Sequence, residues 1–425
     1  MNKPQLINVV DVICRSFRHL DPRLISHGER VGYILMKMLE ETRRYTPQEK
    51  HDIFMLGLLH DIGAYKDSEI DSMLSFDTDD SMEHSVFGYL LFKNFSPLSQ
   101  YADVVLYHHN CNAQYYSVPI SNYHRDIAKL IYLADRIDIF CVQHMDKELS
   151  AFLEQYSGRI FYPADIHWFW NTQEKHHILE KMKSLEYREE ISDYISRHAN
   201  LMADQMDKYL RTLTFALDFR SEYTALHTDY AVHLSKNIGN ALHMPTTALE
   251  SVKFAALLHN IGKVSLLAPA GSIEDYDNYL RSLYDSPTLD VTKQILLGNV
   301  EEDILILIEE SFLLLKCWTN GQPITFSPAP AAEVVALSYL MSNSLSMEMN
   351  VSYHHHPRLL AFLREKYRVT NLDDTILKTL EISFDKIIDK TQSACSTIYD
   401  IYQKMMEEYR SLIIVLQHYN NKYFL

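Results

Sequence analysis

A chain of 425 residues is longer than one helical core requires and suits two domains of roughly 200 residues each. Apolar residues at 47% against 23% charged belong to a globular chain with material for real cores, which excludes long disordered stretches. The net charge of −16 repels polyanions and so excludes non-specific nucleic-acid binding, while a small anionic substrate held by metal stays allowed.

No stretch reaches the ~20 apolar residues of a membrane span, and the opening MNKPQLINVVDVICRS lacks the apolar core of a signal peptide. A cytoplasmic protein without membrane partners is expected. Cys14, Cys111, Cys141, Cys317 and Cys395 are scattered and without C-x-x-C spacing, which fits reduced, buried thiols.

Glycine is scarce, at 11 residues, and apolar positions recur at three and four in VGYILMKMLEE, FMLGLLHDIG, IAKLIYLADRIDIF and ILKTLEISFDKII. An all-α protein follows. Thr46-Pro47 is read as opening a helix that runs to His60, Gly63 as closing it, and Asn110 as following another helix just after His108 and His109. The segment RSFRHLDPRLISHGERVGYIL is echoed about 200 residues later by FALDFRSEYTALHTDYAVHLS, so that His27 matches His227. FMLGLLHDIGAYK matches FAALLHNIGKVSL, and AKLIYLADRIDIF matches AEVVALSYLMSNSL. The pattern predicts two tandem helical bundle modules, residues 1–205 and 206–425, with a boundary in the polar stretch ADQMDKYLRTLTFALD, for which the first helix of the second copy is the alternative reading.

The first module offers, in order, His27, His60-Asp61, His84, His108-His109 and Asp135. Each alone has an ordinary reading, since a single His on an amphipathic helix is more often a hydrogen-bonded core or surface residue. Together they supply imidazole and carboxylate donors for two divalent ions, with iron or manganese favoured and zinc, magnesium or nickel as alternatives. His60 and Asp61 point about 100° apart on a helix, so the carboxylate can reach a second ion. Asp135 stands in an apolar run and needs a partner, either a metal or neighbouring Arg136.

This order of residues resembles the HD superfamily of metal-dependent phosphohydrolases and, more narrowly, its HD-GYP branch. The resemblance implies a phosphodiesterase or phosphomonoesterase in which Asp61 bridges two ions that activate water for attack on phosphorus. Lys66, Arg125 or Arg136 would neutralise the phosphate, and Asp61, Lys66 and Arg136 are the residues assigned to catalysis. Two departures matter. The branch's Gly-Tyr-Pro loop after the His pair is replaced by HHNCNAQYYSVPISNYHRD, and its Lys directly after the HDIG segment is replaced by Ala64.

The acidic stretch EIDSMLSFDTDDSMEH offers Glu69, Asp71, Asp77, Asp79, Asp80 and Glu83 to a third ion, against the default reading of a solvated loop and a helix start. The run His354-His355-His356 and the pair His176-His177 are read as solvated surface, and Trp168, Phe169 and Trp170 as packing. In the second module Asn260 replaces the bridging Asp, Tyr339 replaces the last Asp, and only His227 and His259 remain. Lys263 keeps the HDIGK-type position without metals to work beside. That module is read as a non-catalytic unit for regulation, dimerisation or ligand sensing.

Three function classes stand side by side. The first is hydrolysis of a cyclic dinucleotide such as cyclic di-GMP. The second is hydrolysis of another phosphate ester, a nucleoside monophosphate or guanosine tetraphosphate. The third is non-catalytic signalling, with di-iron oxygenase chemistry as a minor variant. A homodimer is compatible with each.

Overall fold

The computed structural model describes residues 8–20, 26–65, 82–110, 114, 118–143, 148–198, 205–219, 224–266, 286–348, 356–370 and 372–423. The fold is all-α. Among the described residues the one departure is an isolated bridge between Ser157 and Phe161.

The helices of the first half are α1 (Val9–Leu20), α2 (His27–Leu39), α3 (Pro47–Leu59), α4 (Met82–Phe95), α5 (Ala102–Leu106), α6 (Asn122–Gln143), α7 (Leu149–Tyr156), α8 (Pro163–His176), α9 (Ile178–Ser184) and α10 (Tyr187–Arg197). Those of the second half are α11 (Met206–Asp218), α12 (His227–Ala241), α13 (Thr246–Leu258), α14 (Ser286–Leu296), α15 (Glu302–Asn320), α16 (Pro330–Glu348), α17 (His356–Thr370) and α18 (Thr375–Tyr423).

The chain forms two compact units. The N-terminal unit comprises Leu20–Thr212 with Glu407–Leu425, and the C-terminal unit comprises Leu213–Met406 with Met1–His19. These differ from the contiguous halves 1–205 and 206–425 in the placement of both chain ends. Most of α1 belongs to the C-terminal unit because Arg15 donates to the carbonyls of Gln294 and Leu297, and Asn299 bonds both the Asn8 backbone and the Asp11 carboxylate. The end of α18 belongs to the N-terminal unit, where Lys93 pairs with Glu408 and the Tyr409 ring meets Phe87 edge-on. The polar stretch near the expected boundary is α11, whose Thr212 hydroxyl reaches the Phe95 carbonyl. The division between the units falls within α11, after Thr212.

The start of α3 follows from its sequence. Thr46 accepts from the Glu49 backbone, the Glu49 carboxylate accepts from the Thr46 backbone, and Pro47 fills a position that needs no N–H. Gly63 serves a different purpose from the helix stop expected of it. It lies in the 3-10 turn Ile62–Tyr65 at ordinary φ, and a Cβ there would stand 1.9 Å from the His84 carbonyl oxygen, so only glycine lets α4 approach. Gly262 repeats the arrangement against Thr288 in the other copy, at 2.3 Å.

Each unit is organised around a helix buried on nearly all faces. In the N-terminal unit this is α6, buried through Ile127–Phe140 apart from Lys129 and packed against α2, α3 and α5. In the C-terminal unit it is α16, with Val334, Val335, Leu337 and Tyr339 fully buried among Leu234, Leu258, Leu315 and Trp318. A helix apolar on all sides belongs at the centre of a bundle, and the rare polar residue on it must be matched there. No described helix is long and apolar enough to cross a membrane.

Candidate metal centre

All seven singled-out residues of the first module converge in the N-terminal unit. His27 is the first residue of α2, His60 and Asp61 follow the end of α3, His84 opens α4, His108 and His109 follow α5, and Asp135 lies mid-way along α6. Helix ends free their side chains from packing along a groove, which lets several helices aim donors at one point.

The side chains form two donor groups that share one carboxylate: His27, His60 and Asp61 in one, and Asp61, His84, His108 and His109 in the other. Asp61 Oδ2 is 3.2 Å from His60 Nε2 and 3.4 Å from His27 Nε2. Its Oδ1 is 3.5 Å from both His84 Nε2 and His108 Nε2. Asp135 Oδ1 adds a second carboxylate to the first group, 3.3 Å from His27 Nε2.

Backbone and carboxylate acceptors orient the rings. His60 Nδ1 donates to the Gly57 carbonyl at 2.8 Å, His108 Nδ1 to the Val105 carbonyl at 2.6 Å, and His27 Nδ1 to Asp138 Oδ2 at 2.8 Å. For His60 and His108 the bond fixes the proton on Nδ1 and leaves the Nε2 lone pair facing inward, the tautomer a metal requires, while on His27 it orients a ring whose Nε2 faces Asp61 and Asp135. His60 Nε2, His108 Nε2 and Asp61 Oδ1 are buried with no hydrogen-bond partner. Leaving three such atoms unmatched in a core costs on the order of 1–3 kcal/mol each. A cation at their common focus removes that cost, so the donor set fits divalent metal.

The electrostatics agree. Burial opposes charge on His27, yet Asp135, Asp138 and Asp61 hold its pKa well above the ordinary value. Burial pushes His84 down to about 3 and His109 well below its usual range. For Asp61 burial favours the neutral form, but the surrounding imidazoles, His60 foremost, hold it well below the carboxylate range. The pocket therefore favours anionic carboxylates and neutral rings on the α4–α5 side, with positive charge drawn toward His27.

Arg136 lies behind Asp135. Its Nε and Nη2 both bond Asp135 Oδ2, at 2.9 and 2.8 Å, and the residue is 3% exposed. The two partners weighed for Asp135 thus divide its oxygens, Arg136 taking Oδ2 while Oδ1 faces the histidines. Lys66, the other residue assigned to phosphate contact, lies outside the described residues, as do His354, His355 and the acidic stretch from Glu69 to Asp80. Glu83 is described, and accepts from the Tyr409 hydroxyl. Arg125 is half-buried and bonds Asn122.

Two residues of the centre escaped sequence reading. Asp138 is 1% exposed and joins His27 to Arg30, whose Nη2 is 2.8 Å from Oδ2. The signal was available: Asp138 stands three residues after Asp135, and Arg30 three after His27, each on the same helix face as its partner.

The equivalent region of the C-terminal unit is closed. His259 is stacked between Phe312, 4.3 Å away at 10°, and Tyr339, 3.8 Å away at 29°. Its Nδ1 donates to Asn260 Oδ1, Asn260 Nδ2 donates to His227 Nε2, His227 Nδ1 meets the Ser342 hydroxyl, and that hydroxyl donates to the Tyr339 carbonyl. Lys263 is buried in an ion pair with Asp218, whose other oxygen accepts from the Thr228 backbone at 2.9 Å.

A family model described as HD domain matches residues 24–139, a span that contains all seven converging residues. HD domains bind divalent metals, and the cluster built here fits such a site. The chain is also similar to 3'3'-cGAMP-specific phosphodiesterase 1 of Vibrio cholerae serotype O1, 23% identical over 261 residues, which is 56% of this chain and 59% of that protein. It therefore spans about three fifths of the relative's length. A crystal structure of a cyclic GMP-AMP specific phosphodiesterase in V. cholerae covers 89% of this chain and 96% of its own, at 16% identity and a TM-score of 0.47.

Proposed function

We propose that this protein is a metal-dependent phosphodiesterase that opens a cyclic dinucleotide at the HD centre of its N-terminal unit. The observation that carries this reading is the sharing of Asp61 between two histidine groups, one oxygen toward each. One carboxylate serving two donor groups is what a pair of ions a few ångström apart requires. The similar V. cholerae protein, described as specific for 3'3'-cGAMP, makes that dinucleotide the first substrate to test, ahead of cyclic di-GMP.

His27, His60, Asp61 and Asp135 would hold one ion, and Asp61, His84, His108 and His109 the other. The donor set holds imidazoles and carboxylates without thiolate, which suits iron or manganese. When bound, such a pair polarises phosphoryl oxygens and acidifies water for in-line attack on phosphorus. The protein's own part is positioning. Asp138 orients the His27 ring, Arg136 fixes the rotamer of Asp135 and balances its charge, and the backbone carbonyls of Gly57 and Val105 aim His60 and His108. The absence of a Gly-Tyr-Pro sequence after His109 favours, as a second reading, a phosphate ester other than a cyclic dinucleotide.

The test is elemental analysis of anaerobically purified chain, with hydrolysis of 3'3'-cGAMP, cyclic di-GMP, a nucleoside monophosphate and a generic phosphodiester in Mn²⁺ or Fe²⁺. About two ions per chain that are lost in Asp61→Ala, with cleavage of a cyclic dinucleotide, is expected. Metal with cleavage of other esters alone moves the assignment to the second reading, and a folded chain that takes up no metal overturns both.

A further inference from the structure

A second set of donors lies in the C-terminal unit, away from the closed His227–His259 region. Asp229 and His233 stand one turn apart on α12, and Cys395 faces them from α18; one donor atom from each lies within 4.8 Å of the other two. Asp229 and Cys395 are buried and His233 is partly exposed, so the group opens to solvent on its imidazole side. The register of the two helices is fixed one turn further along, where Asn237 Nδ2 donates to Thr391 Oγ1 at 3.0 Å. Going from His233 to Asn237 advances four residues on α12, and going from Cys395 to Thr391 retreats four on α18. The two helices run antiparallel here, with Cys395 held opposite His233.

His233 Nε2 is 3.8 Å from Asp229 Oδ1, too long for a hydrogen bond. With metal–donor bonds of roughly 2.0–2.3 Å, two donors on one tetrahedral ion stand about 3.3–3.8 Å apart. The His233–Asp229 separation stands at the upper end of that range, and the Cys395 donor lies within 4.8 Å of both. A carboxylate, an imidazole and a thiolate from two helices form a donor set for zinc or another borderline ion, and the thiolate separates it from the all-nitrogen-and-oxygen HD centre.

We propose that Asp229, His233 and Cys395 form a mononuclear zinc-type site that clips α12 to α18 within the C-terminal unit, with a fourth position left to water beside His233. This site does not depend on the phosphodiesterase reading, because it shares no residue with the HD centre.

Cobalt(II) tests it on the full chain. Thiolate-to-cobalt charge transfer gives a near-ultraviolet band that imidazole and carboxylate ligands do not, and none of the seven HD-centre residues is a cysteine. The wild-type chain is expected to show this band, saturating at one cobalt per chain beyond those in the HD centre. Cys395→Ser should abolish it and His233→Gln should weaken it, with the helical circular dichroism of both variants and their hydrolysis of a cyclic dinucleotide unchanged. No band in the wild-type chain at saturating cobalt, or a band that survives Cys395→Ser, overturns the site. Loss of hydrolysis with the band intact would instead count against the HD-centre reading alone.

Discussion

The two units place equivalent residues at equivalent points and arrive at opposite outcomes. In the N-terminal unit three buried polar atoms that lack a hydrogen-bond partner, Asp61 Oδ1, His60 Nε2 and His108 Nε2, meet at the candidate metal centre. In the C-terminal unit the same frame is filled. Tyr339 stands where Asp135 stands and lies flat on His259, while Ser342 stands where Asp138 stands and meets His227 with a neutral hydroxyl. Asn260 serves as donor to one ring and acceptor from the other, something a carboxylate cannot do. Ala64 of the HD centre becomes Lys263, whose ammonium is matched by Asp218. The comparison teaches that one helical frame can hold either a cluster of donors or a closed network of neutral hydrogen bonds and stacked rings, the closed network leaving His259 Nε2 as its one histidine nitrogen without a hydrogen-bond partner.

The sharpest way to break this contrast is Asp61→Ala. Removing the shared carboxylate takes away the one group common to both donor sets, while the helices keep their packing. Because two-ion stabilisation is worth several kcal/mol and each 1.4 kcal/mol is tenfold in rate, hydrolysis should fall by at least about 10³-fold. Bound metal should fall with it, and circular dichroism should stay helical; activity retained in this variant would remove Asp61 from the centre.

Next in size is Lys263→Met, which probes the closed region by its charge. Burial pushes the Asp218 carboxyl up against the pull of Lys263, so without the lysine Asp218 would fold protonated. Breaking a buried pair from one side costs roughly 3–5 kcal/mol, read as a lower denaturant midpoint, and the double variant Lys263→Met/Asp218→Leu should recover most of it. Metal content should not change. Uptake of an additional ion by Lys263→Met would mean that the ammonium had been excluding one.

How much of this was legible depended on what each residue must satisfy. The seven HD-centre positions stood out because histidines and carboxylates at helix ends, repeated in a fixed order, have few structural uses in common. The duplication was legible because whole amphipathic segments recur. The placement of α1 in the C-terminal unit was not, because nothing in an amphipathic pattern says which unit it covers. Arg136 was read as a phosphate contact because an arginine beside a metal-ligand carboxylate suits either purpose, and only the geometry shows both its nitrogens on Asp135. The closing of the second centre was half visible. The losses at Asn260 and Tyr339 could be read, but Phe312 and Asp218, which complete the filling, lie far from them in the chain and carry no motif.

The C-terminal unit also carries a pH handle. Glu333, at the start of α16, is 5% exposed and accepts from the Tyr367 hydroxyl, and burial raises its pKa from 4.5 to about 7. A carboxyl with a raised folded pKa binds its proton more tightly in the folded state. Stability from this group is therefore fully present below pH 4.5 and lost as pH rises through about 7, a change of about 3 kcal/mol. Chemical denaturation at pH 5 and pH 8 should show the loss in the wild type and a flatter profile in Glu333→Gln, which keeps an acceptor for Tyr367. Equal profiles would show that Glu333 is ionised in the fold.

Asp138→Asn is a smaller perturbation of the HD centre. The amide keeps the size of the carboxylate but weakens its hold on the His27 Nδ1 proton and on Arg30. Outer partners of this kind are worth roughly 10–100-fold in metal affinity or activity, and that range is expected here. The corresponding Ser342→Ala in the C-terminal unit should leave metal content and hydrolysis unchanged.

The smallest expected effect is the most direct test of why the second centre is closed. Asn260→Asp restores the carboxylate of the His-Asp pair at the position where the sequence lost it. The new oxygens would sit beside His259 Nδ1 and His227 Nε2, where the amide now makes bonds of 3.0 and 3.1 Å. An aspartate there can still accept from His259 but cannot donate to His227, so a proton on His227 Nε2 would complete the bond in place of a metal. His259 would remain covered on both faces by Phe312 and Tyr339, and among the described residues no donor cluster includes His227 or His259. In an Asp61→Ala background, where the HD centre is disabled, Asn260→Asp should therefore bind no additional ion by elemental analysis. If one did appear, the missing charge alone would have kept the second centre empty, and the stacked rings would be a consequence of that emptiness rather than its cause.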